Sequence, residues 1–269
     1  NPNLHIVALS QELRPAGVAA LATKIAQRGG NIDRIRRTAS YPLTAIEFEV
    51  TLASTQDELK VIQRELAEIA RSNNIDLAVE QSGLARRAKR IVLLDMDSTL
   101  IQQEVIDVIA AKHRVGPQVA EITESAMRGE IEFKESLIRR VALLNGLDAS
   151  ALQEVIDQRL KLNPGAQIWI DACKANGIKT LLVSGGFEFF ANHVKTKLGL
   201  DYAESNTLEI QNGKLTGKIL GDIVDGQAKA NFLIQKREFL GLKPDQVIAI
   251  GDGANDLIMM REAAAGIAY

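Results

Sequence analysis

The fold is decided by the stretch Ile91-Val92-Leu93-Leu94-Asp95-Met96-Asp97-Ser98-Thr99-Leu100. Its first four residues are apolar and predict a short strand buried on both faces, as in a parallel sheet. Asp95 and Asp97 follow at the carboxyl end of that strand, where open α/β sheets place their ligands. Two carboxylates this close repel each other unless a cation lies between them. The stretch therefore predicts a site for metal-assisted chemistry on an anionic substrate.

The composition is that of a soluble globular protein. Of the 269 residues, 46 % are hydrophobic and 25 % are charged, and the formal net charge is -2. This balance gives no reason to expect nucleic acid or an anionic membrane as a partner, and no apolar run approaches the ~20 residues that span a bilayer. The single cysteine, Cys173, excludes an internal disulfide and favours the cytoplasm. Because the chain does not begin with Met, we expect its amino terminus to be incomplete or processed.

The first third of the chain, residues 1–82, predicts a separate α/β domain. Ile46, Phe48 and Val50 alternate with glutamates, which is typical of a half-buried strand. Pro15 begins one predicted helix and Thr55 caps a second. The remaining strands are predicted at 4–9, 32–38 and 75–79. The resulting order, βαββαβ, is the ferredoxin-like split arrangement.

Residues 83–90 predict a linker, because Gly83 is followed by a basic run that ends at Arg90. We interpret this run as a solvated face, with attraction of anions toward the nearby site as the alternative. After Thr99 the pattern becomes helical, and Gly116-Pro117 is expected to end the first of several helices. This insertion, at about 101–163, is predicted to form a cap that excludes water and selects the substrate.

The carboxyl-terminal part of the chain returns to alternating strands and helices. Strands are predicted at 180–183 and 247–250, each preceded by a helical segment, and this alternation indicates a parallel sheet. Between them, Asn212-Gly213 predicts the turn of a β-hairpin. Residues 91–269 are therefore predicted to form one α/β domain with a Rossmann-like parallel sheet and an inserted helical cap.

Polar residues follow each predicted parallel strand. Ser184-Gly185-Gly186 is expected to open a helix and to bind phosphate through its hydroxyl and backbone N–H groups. The segment from Gly251 to Asp256 adds carboxylates for a hard cation such as Mg²⁺, and Lys229 could neutralise a phosphate. Each signal alone is modest, since Ser-Gly-Gly is usually a turn and a lone lysine is usually solvated. Their joint placement at the ends of three parallel strands predicts a phosphate site.

This ordered set of motifs resembles the haloacid dehalogenase superfamily, and within it the phosphoserine phosphatase family. The resemblance implies hydrolysis of O-phosphoserine to serine and phosphate, the last step of serine biosynthesis. It implies that Asp95 is the nucleophile and Asp97 the general acid and base. Mg²⁺ would be held by Asp95, Asp252 and the backbone carbonyl of Asp97. The phosphoryl group would be bound by Ser184, Gly185, Lys229 and Asn255. Thr99 and Asp256 would orient these groups without contacting the substrate themselves.

In the cap, the resemblance implies that Glu104 binds the substrate ammonium and Arg140 its carboxylate, with Met127 and Phe133 as an apolar wall. Without the family, Glu104 fits a solvated helix position equally well, and Arg140 beside Arg139 reads as a surface residue. Two alternatives to the function stay open. One is a related phosphatase or phosphotransferase that acts on another small phosphomonoester, and the other is a non-catalytic amino-acid sensor.

The amino-terminal domain resembles an ACT domain, a small module that senses amino acids. The resemblance implies a homodimer and serine as an effector near Asn31, although the Gly30-Asn31 pair is equally well explained as a turn. His5 lies within a predicted strand, where a structural role is favoured over a ligand role. The superfamily usually continues beyond its last aspartate motif, so we expect this chain to lack an edge of the sheet at its carboxyl end.

Overall fold

The computed structural model describes residues 3–53 and 56–269. The chain forms two compact units, Asn1–Ala88 and Lys89–Tyr269. None of the helices in the described ranges is long and apolar enough to cross a membrane. Thr55, the predicted cap of the second helix, lies outside the described residues.

The first unit has the predicted βαββαβ order, followed by one short helix. Its elements are β1 (Leu4–Ser10), α1 (Pro15–Gln27), β2 (Asn31–Ala39), β3 (Thr44–Thr51), α2 (Gln56–Ser72), β4 (Asp76–Gln81) and α3 (Leu84–Arg87). The strands pair antiparallel in the order β2-β3-β1-β4. The ferredoxin-like prediction is confirmed. The predicted linker at 83–90 contains α3.

Burial explains why these residues form these elements. Leu21 and Ile25 of α1 and Leu66 of α2 are buried at helical spacing, and they belong to one core with Phe48 and Val50 of β3. The polar residues that alternate with them along β3 are more accessible. By contrast, every residue of β2 except its second is exposed, and β2 lies at the edge of the sheet.

The second unit is built on a six-stranded sheet in the order β10-β9-β5-β6-β7-β8. Its strands are β5 (Ile91–Leu94), β6 (Lys179–Phe187), β7 (Tyr202–Gln211), β8 (Lys214–Leu220), β9 (Val247–Gly251) and β10 (Ala265–Ala268). Pairing is parallel except between β7 and β8. All four residues of β5 are buried, as predicted, because the strand lies between β6 and β9. Asn212 and Gly213 both have positive φ, as a two-residue hairpin turn requires.

The helical insertion leaves the sheet after β5 and returns before β6. It contains α4 (Val105–Lys112), α5 (Gly116–Met127), α6 (Phe133–Ala142) and α7 (Ser150–Gln158). Ile101 and Leu162 form a β-bridge at its base, close to the predicted ends of the cap. The helices α8 (Ala166–Ala175), α9 (Glu188–Leu198), α10 (Gly226–Phe239) and α11 (Leu257–Arg261) follow along the chain. Gly116 and Pro117 begin α5, since proline is well tolerated in the first helical turn.

One prediction about the Ser184-Gly185-Gly186 segment is wrong. Ser184-Gly185-Gly186 does not open a helix, because β6 continues through it to Phe187 and α9 begins at Glu188. The side-chain amide of Asn206 donates to the carbonyls of Gly185 (2.8 Å) and Gly186 (3.3 Å). These contacts satisfy two backbone acceptors where the regular pairing of β6 with β7 is interrupted, and so they stabilise an extended chain.

Candidate active site

A buried lysine joins two carboxylates at the carboxyl edge of the sheet. Asp95 follows β5, and its backbone N–H donates to the carbonyl of Ile250 on the neighbouring strand. Lys229, from the first turn of α10, is 0 % exposed. Its Nζ lies 2.9 Å from Oδ1 of Asp95 and 2.7 Å from Oδ1 of Asp256. The single positive charge of Lys229 is thus shared between Asp95 and Asp256, which leaves an excess of negative charge at the site.

The pKa values reflect this arrangement. Burial raises the pKa of Asp95 to about 7, and the charge of Asp256 adds to the shift, while Lys229 opposes it. Burial also works against the charge on Lys229, but Asp95 and Asp256 outweigh it and raise the pKa of the lysine. A further cation beside Asp95 would favour its ionised form at neutral pH.

Three carboxylates converge in a way that suits a divalent metal. Oxygens of Asp95, Asp252 and Asp256 lie within 4.8 Å of one another. Asp256 is already engaged, because its Oδ1 pairs with Lys229 and its Oδ2 accepts from the N–H of Gly253 at 3.1 Å. Asp252 is exposed, and its Oδ1 accepts from Thr99 Oγ1 at 3.0 Å. Hard oxygen ligands of this kind fit Mg²⁺ or a similar cation, and Asp95 with Asp252 would supply them.

Asp97 lies in a different environment from Asp95. Among the described residues, Oδ1 of Asp97 is one of two buried side-chain polar atoms without a hydrogen-bond partner. Burial raises its pKa well above the usual value, with further contributions from Glu104 and Asp95. Burial therefore favours the protonated form of Asp97 more than it would for an exposed aspartate. Two neighbouring acids with such different environments are suited to unlike roles.

The segment after Val183 forms a tight wall beside Asp97. Ser184 is fully buried, and its Oγ accepts from the backbone N–H of Gly186 at 2.8 Å. A Cβ on Gly186 would come within 2.7 Å of Asp97 Oδ2, so only glycine fits there without a shift. A Cβ on Gly185 would meet the ring of Phe133 at 3.0 Å, which places this cap residue directly against the segment.

The cap residues implied by the resemblance line the same cavity as the two aspartates. This cavity has a volume of about 530 Å³, and it includes Asp95, Asp97, Glu104, Met127, Phe133, Arg140, Ser184, Gly185, Asp252 and Asn255. Oε1 of Glu104 accepts from Ser98 Oγ at 2.8 Å, and partial burial raises the pKa of Glu104. Burial lowers the pKa of Arg140 from its usual high value. Met127 lines the cavity yet is 84 % exposed.

The other predicted residues lie elsewhere. Thr99, Lys229 and Asp256 are buried and contact the carboxylates without lining the cavity. Asn31 belongs to the first unit, where its amide donates to Asp33 Oδ1 at 2.7 Å. This contact gives Asn31 a structural partner.

Two residues of the site were missed by the sequence analysis. Asn206 holds the Ser184–Gly186 segment, and its Oδ1 also accepts from the N–H of Val224 at 2.8 Å. A polar residue at an inward position of a strand, two before Leu208, is the signal that could have found it. Ser136 lines the cavity. Its spacing of three and four from Phe133 and Arg140 places all three on one helix face.

The fold and the site together define a cap-bearing α/β protein with an acidic cluster that could hold a metal ion. Residues 92–261 match the model of the haloacid dehalogenase-like hydrolase family, and residues 4–80 match an ACT domain model. The chain belongs to the haloacid dehalogenase-like hydrolases and carries an amino-terminal ACT domain. The predicted family and fold class are confirmed.

Relatives of known name support this assignment. A phosphoserine phosphatase of Streptomyces coelicolor is 45 % identical over 264 residues, covering 98 % of this chain and 63 % of that protein. The chain thus spans less than two thirds of the length of that relative. A solved structure of a HAD family hydrolase from Salmonella enterica serovar Typhi has a TM-score of 0.82 at 29 % identity, covering 98 % of this chain and 89 % of the other. A structure described as a phospho-aspartyl intermediate analogue of phosphoserine phosphatase has a TM-score of 0.63 at 39 % identity, covering 67 % and 86 %.

Proposed function

We propose that this chain is a cytoplasmic, magnesium-dependent phosphoserine phosphatase that acts in the last step of serine biosynthesis. The observation that carries the proposal is a single cavity lined by Asp95, Asp97, Glu104 and Arg140. It offers a nucleophile, a proton donor, an acid for an ammonium and a guanidinium for a carboxylate. O-phosphoserine presents the matching groups. The one cysteine, Cys173, is a buried free thiol, which is consistent with a reducing compartment.

The chemistry follows from the two unlike aspartates. Asp95 attacks phosphorus and forms an aspartyl-phosphate, while the bond between phosphorus and the serine oxygen breaks. Asp97 donates its proton to that oxygen. In the second step Asp97 takes a proton from water, the water oxygen attacks phosphorus, and the bond to Asp95 breaks. Asp97 is then protonated again for the next turnover.

The surrounding residues stabilise the charge that shifts during transfer. The hydroxyl of Ser184 and the backbone N–H of Gly185 are offered to the phosphoryl oxygens, and Lys229 supplies a fixed positive charge beside Asp95. A divalent cation held by Asp95, Asp252 and the Asp97 backbone carbonyl would neutralise phosphoryl oxygens when bound. Asn255, which lines the cavity, would bind phosphate, and Asp256 fixes the lysine.

Substrate choice is assigned to the cap. Glu104 is fixed by Ser98 and attracts the ammonium group, whereas Arg140 attracts the carboxylate in a partly buried position where ion pairing is stronger than in water. Phe133 packs against Gly185 and closes one side of the cavity, with Met127 at its rim.

The decisive test is a panel of small phosphomonoesters, assayed for phosphate release with and without added Mg²⁺. We expect O-phosphoserine to have the highest kcat/KM and release to require the metal. Little preference for O-phosphoserine would contradict the narrow assignment and favour another phosphomonoester. Serine released in excess of phosphate when an alcohol is added would indicate a phosphotransferase. No turnover of any ester would favour the amino-acid sensor.

We also propose that the ACT domain forms a homodimer and binds serine as an effector near Asn31. Support comes from the ACT model match and from the exposed edge strand β2, whose Ile35 is 54 % exposed. Edge strands present unpaired backbone groups that a second copy can pair with. Light scattering on Ile35→Glu should report a smaller particle than the parent chain, and calorimetric titration with serine should lose its signal in Asn31→Ala. A parent chain that is monomeric, or that does not bind serine, contradicts the respective part.

A further inference from the structure

Ser136 carries a buried hydroxyl in the middle of α6 that no other described residue binds. It is 1 % exposed, and within the described part of the chain its Oγ has no hydrogen-bond partner. A serine inside a helix commonly donates to the carbonyl four residues earlier. Here the carbonyl of Glu132 accepts the backbone N–H of Ser136, and the hydroxyl lines the cavity. A buried polar group without a partner is unfavourable, and this one becomes favourable when a ligand supplies an acceptor.

The neighbours of Ser136 indicate which part of a ligand would reach it. Arg140 lies one turn further along α6, and its Nε is 3.4 Å from the Ser136 carbonyl oxygen, so the guanidinium folds back over the serine. Arg140 can only donate hydrogen bonds and cannot accept one from the hydroxyl. Thr123, beside the same guanidinium, already donates its own hydroxyl proton to the carbonyl of Val119. Ser136 therefore has a proton available on the helix face that also carries Arg140.

We propose that Ser136 is a further substrate-binding residue, whose hydroxyl donates to the carboxylate that Arg140 holds. This inference rests on the proposed function, because it assumes a substrate that carries a carboxylate beside its phosphate. The ammonium end is drawn toward Glu104, and the phosphoryl end toward Asp95 and Lys229. The carboxylate is the part of O-phosphoserine that remains for this side of the cap. Two donors on one helix face then hold it, one charged and one neutral.

The test is Ser136→Ala, which removes only the hydroxyl and favours the helix. We expect kcat/KM for O-phosphoserine to fall about tenfold, since a hydrogen bond to a charged group is lost. Inorganic phosphate has no carboxylate, so its inhibition constant as a competitor should stay unchanged. The thermal midpoint should not fall, because the hydroxyl has no hydrogen-bond partner among the described residues. Ser125→Ala is the matched control, since Ser125 lies on α5 and its Oγ is exposed and paired with Glu130.

The outcomes separate this inference from the proposed function. If the parent chain hydrolyses O-phosphoserine and Ser136→Ala does so equally well, Ser136 does not bind the substrate. If the inhibition constant of phosphate rises together with the loss in kcat/KM, or the thermal midpoint falls, Ser136 supports the shape of the site and the carboxylate contact is wrong. If the parent chain does not hydrolyse O-phosphoserine at all, the proposed function fails first.

Discussion

Replacing Lys229 by Met tests how the acidic site is held together. The lysine Nζ lies 2.7 Å and 2.9 Å from two carboxylate oxygens. At an effective dielectric constant of about 20, each contact is worth roughly 6 kcal/mol before desolvation is subtracted. Removing one partner of a buried ion pair typically costs about 3–5 kcal/mol, because uncompensated charge remains. Asp95 can take up a proton, as its pKa is already about 7, and this limits the loss. We therefore expect Lys229→Met to lower the free energy of unfolding by about 3–5 kcal/mol.

The assay is urea denaturation of the metal-free chain at pH 7, followed by circular dichroism. Lys218→Met is the matched control, since Lys218 is exposed on β8 and should change stability by less than about 0.5 kcal/mol. The double variant Lys229→Met/Asp256→Asn should recover part of the loss, because one uncompensated carboxylate is removed as well. Phosphate release should fall roughly a hundredfold or more in Lys229→Met. A cost equal to that of the control would refute the idea that Lys229 neutralises these acids.

Three further predictions concern single groups of the site. Asp97→Asn should abolish turnover yet stabilise the metal-free chain by about 1 kcal/mol, or about 2–4 °C in thermal midpoint. The reason is that burial raises the pKa of Asp97 and so disfavours its charged form. An unchanged thermal midpoint would contradict this. The pKa of Asp95 is raised in the folded state, so the contribution of Asp95 to stability is fully present below about pH 4 and is lost as the pH rises to about 7. Urea titrations over this pH range, with Asp95→Asn as the reference, would detect the loss. Arg140→Lys should raise KM for O-phosphoserine about tenfold, because lysine keeps the charge but not the two-pronged contact; an unchanged KM would argue against a carboxylate there.

The parallel sheet and the residues at its edge could be predicted because their signals are local. The apolar run before Asp95 and the similar run before Asp252 each fix a strand, and parallel strands bring their ends together. The cap could be predicted for the same reason, since turn residues separate its helices. The roles proposed for Glu104 and Arg140 came from family resemblance, because a single acid or arginine on a helix has no distinguishing pattern.

What could not be predicted depends on contacts between distant residues. Ser184-Gly185-Gly186 looks like the start of a helix, yet Asn206, about twenty residues later, holds it extended. The pairing of Thr99 with Asp252 joins residues on two different strand ends. That the Ser136 hydroxyl has no partner among residues 3–53 and 56–269 can be known only from the packing around it. Such contacts are set by tertiary packing, which overrides local preference.

The central claim is that the phosphoryl group of O-phosphoserine passes through Asp95. The most direct measurement is acid quenching of the enzyme during turnover with Mg²⁺, followed by mass spectrometry of the peptide that contains Asp95. We predict one phosphoryl group on Asp95 in the parent chain. In Asp97→Asn this phosphoryl group should accumulate if the second step is slowed more than the first. In Asp95→Asn both the phosphoryl group and all turnover should be absent. Sustained phosphate release by Asp95→Asn would contradict the account.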